Sequence, residues 1–423
     1  MATPGSPRSL VLRMCWTHGS DNAAVTASVP ETRDTWRMLA ITTGIQSMVT
    51  LAALTLPVLA PVMGAHLGRP ASVLAGAFAV VLYLAAMVSS MLSGAAVKRL
   101  GAIRVSQLCL GLCAVGLAAA SLPWWPAMLA GAAAVGLGYG PITPSSSHLL
   151  ARSTPAQYMS LVFSVKQTGV PLGGLLAGAI APGLSVAFGW QAALGLLALP
   201  CIGFALLSQT LRASLDADRD HAAALRAAQL LSPVKLVLSH TGLRRLALCS
   251  MLFAMVQLAL STYLVTYLHN GLGMGLVTAG FLLSLAQVGG VVGRVGWGYA
   301  SDRWLGANRT LALLAALMAL SALATGALES SSPLAAMGPV LLLFGASAIG
   351  WNGVYLAEVA RQVSPALAGA ATGGTLMFTY LGNVAGPLLF GSIAQGAGFG
   401  TAYAVLALPL MVAGWMLLRS RGM

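Results

Sequence analysis

The sequence predicts an all-α membrane protein with twelve transmembrane helices in two pseudo-symmetric six-helix bundles. Composition is the first reason. Hydrophobic residues fill 58% of the 423 positions and charged residues only 7%, with a mean hydropathy of +0.85; soluble domains carry ~25% charged residues. The second reason is a set of twelve apolar runs of the order of the ~20 residues that cross a bilayer. They lie at about 38–62, 73–97, 103–122, 126–151, 157–182, 190–209, 244–268, 276–300, 309–328, 333–360, 366–394 and 399–418. A soluble helical bundle cannot absorb so many. The third is an internal repeat. Gly298-Tyr-Ala-Ser-Asp302-Arg303-Trp-Leu-Gly306-Ala-Asn-Arg309 follows the eighth run, and Gly94-Ala-Ala-Val-Lys98-Arg99-Leu-Gly101-Ala-Ile-Arg104 follows the second. Two such loops, about half a chain apart, mark duplicated halves.

These loops resemble the helix 2–3 and helix 8–9 loops of the major facilitator superfamily, which carry Gly-x-x-x-Asp-Arg-x-Gly. The second copy fits with one extra residue before Gly306; the first has Lys98 where the acid belongs. The resemblance covers residues 37 to 418. It implies bundles at 37–209 and 244–418, a cytoplasmic linker at 210–243 and a short C-terminal end at 419–423. Residues 1–36, rich in Ser, Thr and Pro, read as a disordered cytoplasmic tail. Leu211 to Leu231 is expected to form a helix lying on the membrane surface.

The net charge of +13 does not point to nucleic acid, because its distribution is one-sided. With the N-terminus in the cytoplasm, 19 of the 22 Lys and Arg residues fall on cytoplasmic segments. Arg69 falls outside, and Lys166 and Arg294 fall within runs. That bias predicts a multi-pass protein of the cell membrane with both termini cytoplasmic. Of the five cysteines, Cys109, Cys113, Cys201 and Cys249 lie in apolar runs and Cys15 in the tail. Without a nearby His or carboxylate they read as small buried residues, so no metal or cofactor is expected.

In chain order, the first run carries Thr42, Thr43, Gln46, Thr50 and Thr55, with Pro57 and Pro61 to bend its outer end, and no charge. Drug–proton antiporters of the superfamily often place an acid there. The fourth run ends in Gly136-Leu-Gly-Tyr139-Gly140-Pro-Ile-Thr-Pro144-Ser-Ser-Ser-His148 and lacks the family's helix-4 arginine. Small residues there allow close helix approach. His148 reads as a capping or interfacial histidine or as a proton carrier. The fifth run reads Ser164-Val-Lys166-Gln167-Thr168-Gly169-Val-Pro171-Leu-Gly173-Gly174. Lys166 is nine residues in, ~13 Å deep and close to mid-membrane, where a charge usually faces a cavity or partner. Gly-Val-Pro-Leu-Gly-Gly resembles the family's helix-5 glycine–proline motif.

In the second half, the seventh run carries Gln257, Ser261, Thr262, Tyr263 and Tyr267, and the eighth carries Gln287 and Arg294. Monocarboxylate transporters of the superfamily also have a helix-8 arginine. Arg294 either lines the central cavity or pairs with Asp302. The tenth run reads Gly350-Trp351-Asn352-Gly353-Val-Tyr355-Leu-Ala-Glu358-Val-Ala-Arg361. The eleventh holds Thr379-Tyr380-Leu-Gly-Asn383-Val-Ala-Gly386-Pro387. Aligning Pro387 with Pro171 sets Asn383 opposite Gln167.

No Ser-His-Asp spacing, mid-membrane His–carboxylate cluster or phosphate loop occurs, so neither an enzyme nor an ATP-driven pump is expected. The spans hold two bases and no mid-membrane acid, a balance that attracts anions. The expected substrate site comprises Lys166, Gln167, Arg294, Asn383, Tyr139, Gln257, Asn352, Tyr355 and Tyr380. The expected gate comprises Lys98, Arg99, Asp302, Arg303, Glu358 and Arg361. Together these predict a monomeric secondary transporter that takes up a small organic anion, a carboxylate, with protons; lipid is its other contact. Lys166, His148 and Glu358 are the candidate proton carriers. Efflux of hydrophobic drugs or metabolites is the alternative. The latch of acids and bases is expected in the second half alone, with Lys98, Arg99 and Arg152 offering only bases.

Overall fold

A computed structural model describes residues 32–153, 162, 165–217, 219, 232–363 and 368–419. Most of the tail, the first part of the fifth run, the charged stretch 220–231, Cys15 and the Arg152 side chain lie outside these. The described residues are helical almost throughout, with no strand among them. The helices are α1 Thr32–Leu67, α2 Ala71–Leu100, α3 Ala102–Ala120, α4 Trp125–Tyr139, α5 Ile142–Ser153, α6 Gly169–Phe188 and α7 Trp190–Leu215. After the linker come α8 Ser232–Ser239, α9 Thr241–Thr266, α10 Leu276–Ala300, α11 Ala307–Gly326, α12 Leu334–Ala348, α13 Asn352–Arg361, α14 Ala368–Val405 and α15 Ala407–Leu418.

Among the described residues, ten continuous stretches are long and apolar enough to cross a membrane. Two features reconcile this with twelve crossings. The stretch Ala371–Leu418 holds two, separated where Gly398 adopts φ 84°. The fourth crossing is divided into α4 and α5 around Gly140 and Pro141, so neither piece is long enough alone. Its counterpart in the second half, the tenth, is divided between α12 and α13 around Ile349–Trp351. The repeat therefore extends to where helices break. One expectation is corrected: Leu211–Leu215 belongs to α7, which continues the sixth crossing rather than starting a surface helix.

Chain direction puts the 98–101 and 302–306 loops and α8 on one face, here the linker face. Each bundle packs through small residues, for example where α3 meets α4 and α9 meets α14. The bundles meet along α6 against α10 and α2 against α14. Away from the linker face this contact is very close. A Cβ at Gly178 would lie 2.6 Å from the Gly280 carbonyl oxygen, and one at Gly174 2.6 Å from Gln287 Cδ. Ser284 Oγ donates to the Leu175 carbonyl at 2.9 Å across the same seam. Such backbone approach is what small residues provide between membrane helices, where lipid supplies no hydrophobic drive.

Candidate functional site

The two loops that carry the repeat end in the same way. Gly101 (φ 92°) and Gly306 (φ 74°) each turn the chain into the next helix. In the first, Gly101 N–H donates to Val97, four residues back; in the second, Gly306 N–H donates to Ser301, five back. The extra residue before Gly306 is thus absorbed as a π-turn over Ser301–Leu305, the usual fate of a one-residue insertion in a helix.

Within that turn, Asp302 accepts from Arg361 at 3.0 Å, and Arg361 reaches Glu358 at 3.6 Å. Gln362 donates to Glu358 at 2.8 Å. Arg303 is exposed. In the first half Lys98 and Arg99 are exposed and make no ion pair among the described residues. An acid is nonetheless supplied there, from a place the sequence did not reveal. Asp216, at the end of α7 and buried, accepts from the Ile103 and Arg104 N–H groups at 2.8 and 3.0 Å. It caps the N-terminus of α3, where orphan N–H groups and the helix dipole favour an anion.

Between the bundles lies a cavity of about 50 Å³. That volume holds a few waters and is small against the ~300 Å³ and above of drug-sized sites. Tyr139, Gln257 and Asn383 line it, together with Thr50, Tyr83, Ser261 and Gln287. Leu54, Val170, Leu258 and Ile349 supply apolar wall. Its amides are oriented: Gln257 Oε1 accepts from Trp351 Nε1 at 2.9 Å and Asn352 Nδ2 at 3.3 Å, and Gln287 donates to Ser261 at 3.4 Å. Asn352 thus bonds to a lining residue, Gln257, and is not itself part of the cavity wall. The Tyr83 and Tyr139 rings stand edge to face at 5.7 Å, with Tyr380 within electrostatic reach of both. Tyr355 is buried against Trp351, 5.2 Å between rings, away from the cavity wall.

The two bases lie towards the linker face from the cavity. Lys166, 1% exposed, donates to Gln46 Oε1 at 3.2 Å, Thr143 Oγ1 at 3.4 Å and Gln167 Oε1 at 3.5 Å. Gln46 joins this network to the cavity, donating to Thr50 at 3.4 Å and accepting from Thr143 at 3.2 Å. Arg294 donates through Nε to the Ile349 carbonyl at 3.1 Å and through a terminal nitrogen to the Gln167 carbonyl at 2.6 Å. It does not pair with Asp302, whose partner is Arg361. No carboxylate forms an ion pair with either base among the described residues. Gln46, Thr143 and Thr50 were absent from the expected site. Their signal was weak, since uncharged polar residues recur in all these spans. The i, i+4 spacing of Gln46 and Thr50 on one helical face was the available clue.

Comparison with known proteins agrees with this architecture. Over 272 residues the chain is 28% identical to an uncharacterized MFS-type transporter of Mycobacterium tuberculosis, covering 64% of this chain and 59% of that one. It is 26% identical to a gentisate transporter of Corynebacterium glutamicum, covering 66% and 64%. It is 23% identical to a benzoate transport protein of Acinetobacter baylyi, covering 60% of each. The matched part thus spans about 60% of these relatives' length. Among solved structures, the nucleoside transporter NupG superposes with a TM-score of 0.73 at 18% identity, covering 90% of this chain and all of that one. That likeness speaks for the fold alone. The model of the Major Facilitator Superfamily matches residues 39–387, and the chain belongs to that superfamily of membrane transporters.

Proposed function

We propose that this protein is a secondary transporter for a small carboxylate, of the size of a single-ring aromatic acid, working by alternating access. One observation carries the reading: the membrane interior between the bundles holds two buried bases, Lys166 and Arg294, joined through Gln167, with no carboxylate paired to either among the described residues. A positive, desolvated centre favours an anion, and a guanidinium matches a carboxylate in shape. The tyrosines beside it offer aromatic edges and faces to a planar ring. Relatives named for gentisate and benzoate transport support the same class.

The direction is uptake, with a proton. A negative-inside potential opposes an entering anion by ~2.3 kcal/mol per charge per 100 mV, and a co-transported proton removes that penalty. The bias of Lys and Arg towards the linker face supports a cell-membrane protein with that face and both ends in the cytoplasm. Purified protein in liposomes tests this. An inward proton gradient should drive saturable accumulation of labelled benzoate or gentisate, and benzamide should not compete. Uptake of lipophilic cations in place of these acids would overturn the reading.

A further inference from the structure

Pro171 has no N–H, so the carbonyl four residues earlier, that of Gln167, has no partner within the helix. The helix is already interrupted there: Thr168 N–H bonds back to Val165, three residues away. In the other bundle, the break between α12 and α13 leaves the Ile349 carbonyl in the same condition. Arg294 serves both. Its guanidinium spans from the second bundle to the first, bonded to two carbonyls that two separate helix breaks leave open. It is 6% exposed, Tyr139 lies within electrostatic reach, and Ile349 itself lines the cavity.

We propose that the Gln167 carbonyl is a placeholder for the substrate's carboxylate. In the structure Arg294 is held by neutral carbonyl dipoles. An entering carboxylate offers a charged, two-oxygen acceptor to the same planar donor and takes the terminal N–H from Gln167. Pro171 makes the exchange possible, because its ring keeps Gln167 from being satisfied within its own helix. The bond that is given up ties one bundle to the other, so substrate binding loosens the contact across which the bundles must move. This rests on the reading of the site as a carboxylate site, and it assigns to Pro171 and Gln167 a positioning role for Arg294.

The test has a substrate-free arm and a binding arm. Pro171→Ala gives Gln167 an N–H from its own helix; Pro171→Gly supplies the same donor should the alanine variant not reach the membrane. In purified protein without substrate, Arg294→Gln should lower the melting temperature by several degrees in the wild-type background and clearly less with Pro171→Ala, because the carbonyl is no longer orphaned. In the binding arm, Pro171→Ala should tighten benzoate or gentisate binding about threefold or more, the competitor for Arg294 having been removed. Benzamide binding should not change. Additive melting shifts would overturn the proposal. A non-additive cycle with unaltered carboxylate affinity would overturn the placeholder role and leave Arg294 as a cap for two helix breaks. Wild-type protein that binds neither acid would sink the carboxylate reading itself, whatever the cycle gives.

Discussion

A single lysine nine residues into an apolar run was the clearest signal in the chain, because charge at mid-membrane is expensive enough to need a reason. The structure supplies three neutral oxygens to Lys166 and no acid among the described residues. Among the described residues its charge is therefore balanced by dipoles alone, and on the proposed function a substrate anion completes the balance. Lys166→Gln keeps polarity and most of the length and removes the charge. It should cut benzoate uptake by about ten- to a hundredfold, the equivalent of one charge-assisted hydrogen bond at ~1.5–3 kcal/mol, while protein in the membrane stays constant. Initial-rate uptake normalised to surface protein measures this, and wild-type kinetics in the variant would exclude Lys166 from the site. Lys166→Arg should also be impaired, since a fork would displace the Gln46 and Thr143 oxygens that fit a point charge. Lys166 and Arg294 were legible because charge stands out against hydrocarbon. Gln46 and Thr143 were not, because a sequence does not say which uncharged polar residue faces a lysine 120 or 23 positions away.

Helix ends tell the same story at the next scale. The Asp302–Arg361–Glu358 cluster was legible from the loop motif and from the i, i+3 spacing of Glu358 and Arg361. The missing acid of the first half looked like a plain deficit. It is instead made up by Asp216, 113 positions from the N–H it accepts. Gly101, at φ 92°, leaves the space that the carboxylate occupies; any Cβ there would run into it. Only the fold brings the end of α7 under the start of α3, so no local pattern could announce it. The two devices should behave differently when removed. Asp216→Ala leaves two helix-terminal N–H groups without an acceptor and should cost ~0.5–2 kcal/mol, read as a melting temperature lower by a few degrees. The Asp302–Arg361 pair is water-exposed on both sides and should contribute little to stability. Asp302→Asn should leave the melting temperature nearly unchanged, yet increase labelling of a cysteine placed in the linker-face half of the cavity. Lys98→Gln, which breaks no ion pair among the described residues, should alter neither. Equal labelling of the Asp302 and Lys98 variants would mean the asymmetry between the halves has no mechanical effect.

At the scale of the whole molecule, the two bundles meet backbone to backbone on one face. On the side away from the linker, α6 and α10 touch backbone to backbone at Gly178 and Gly280, with Gln287 laid on Gly174 and Ser284 bonded across to Leu175. Nearby, Tyr263 donates to the Pro387 carbonyl at 2.8 Å, and its hydroxyl occupies the space where a Cβ at Gly76 or Gly391 would stand. Three helices are thereby drawn together at one aromatic oxygen. The small cavity beneath is what remains when this seam is closed. Closure depends on the absence of side chains at the crossing, so one side chain should prevent it without touching the polar centre. Gly280→Leu would drive its Cβ into the Gly178 carbonyl, and packed helices do not yield by that amount without separating. The bundles should then stay apart on that side, so a cysteine replacing Ser261 should be labelled from the face away from the linker far faster than in the parent protein. Uptake should fall to background because the return step is blocked, while benzoate should still shift the melting temperature, since Lys166 and Arg294 keep their surroundings. Gly183→Leu is the matched control, because nothing lies within 4 Å of a Cβ there and both labelling and uptake should stay as in the parent. If Gly280→Leu transported normally, the seam between α6 and α10 could not be the gate on that face, and the closed side would have to be held by Tyr263 and its neighbours.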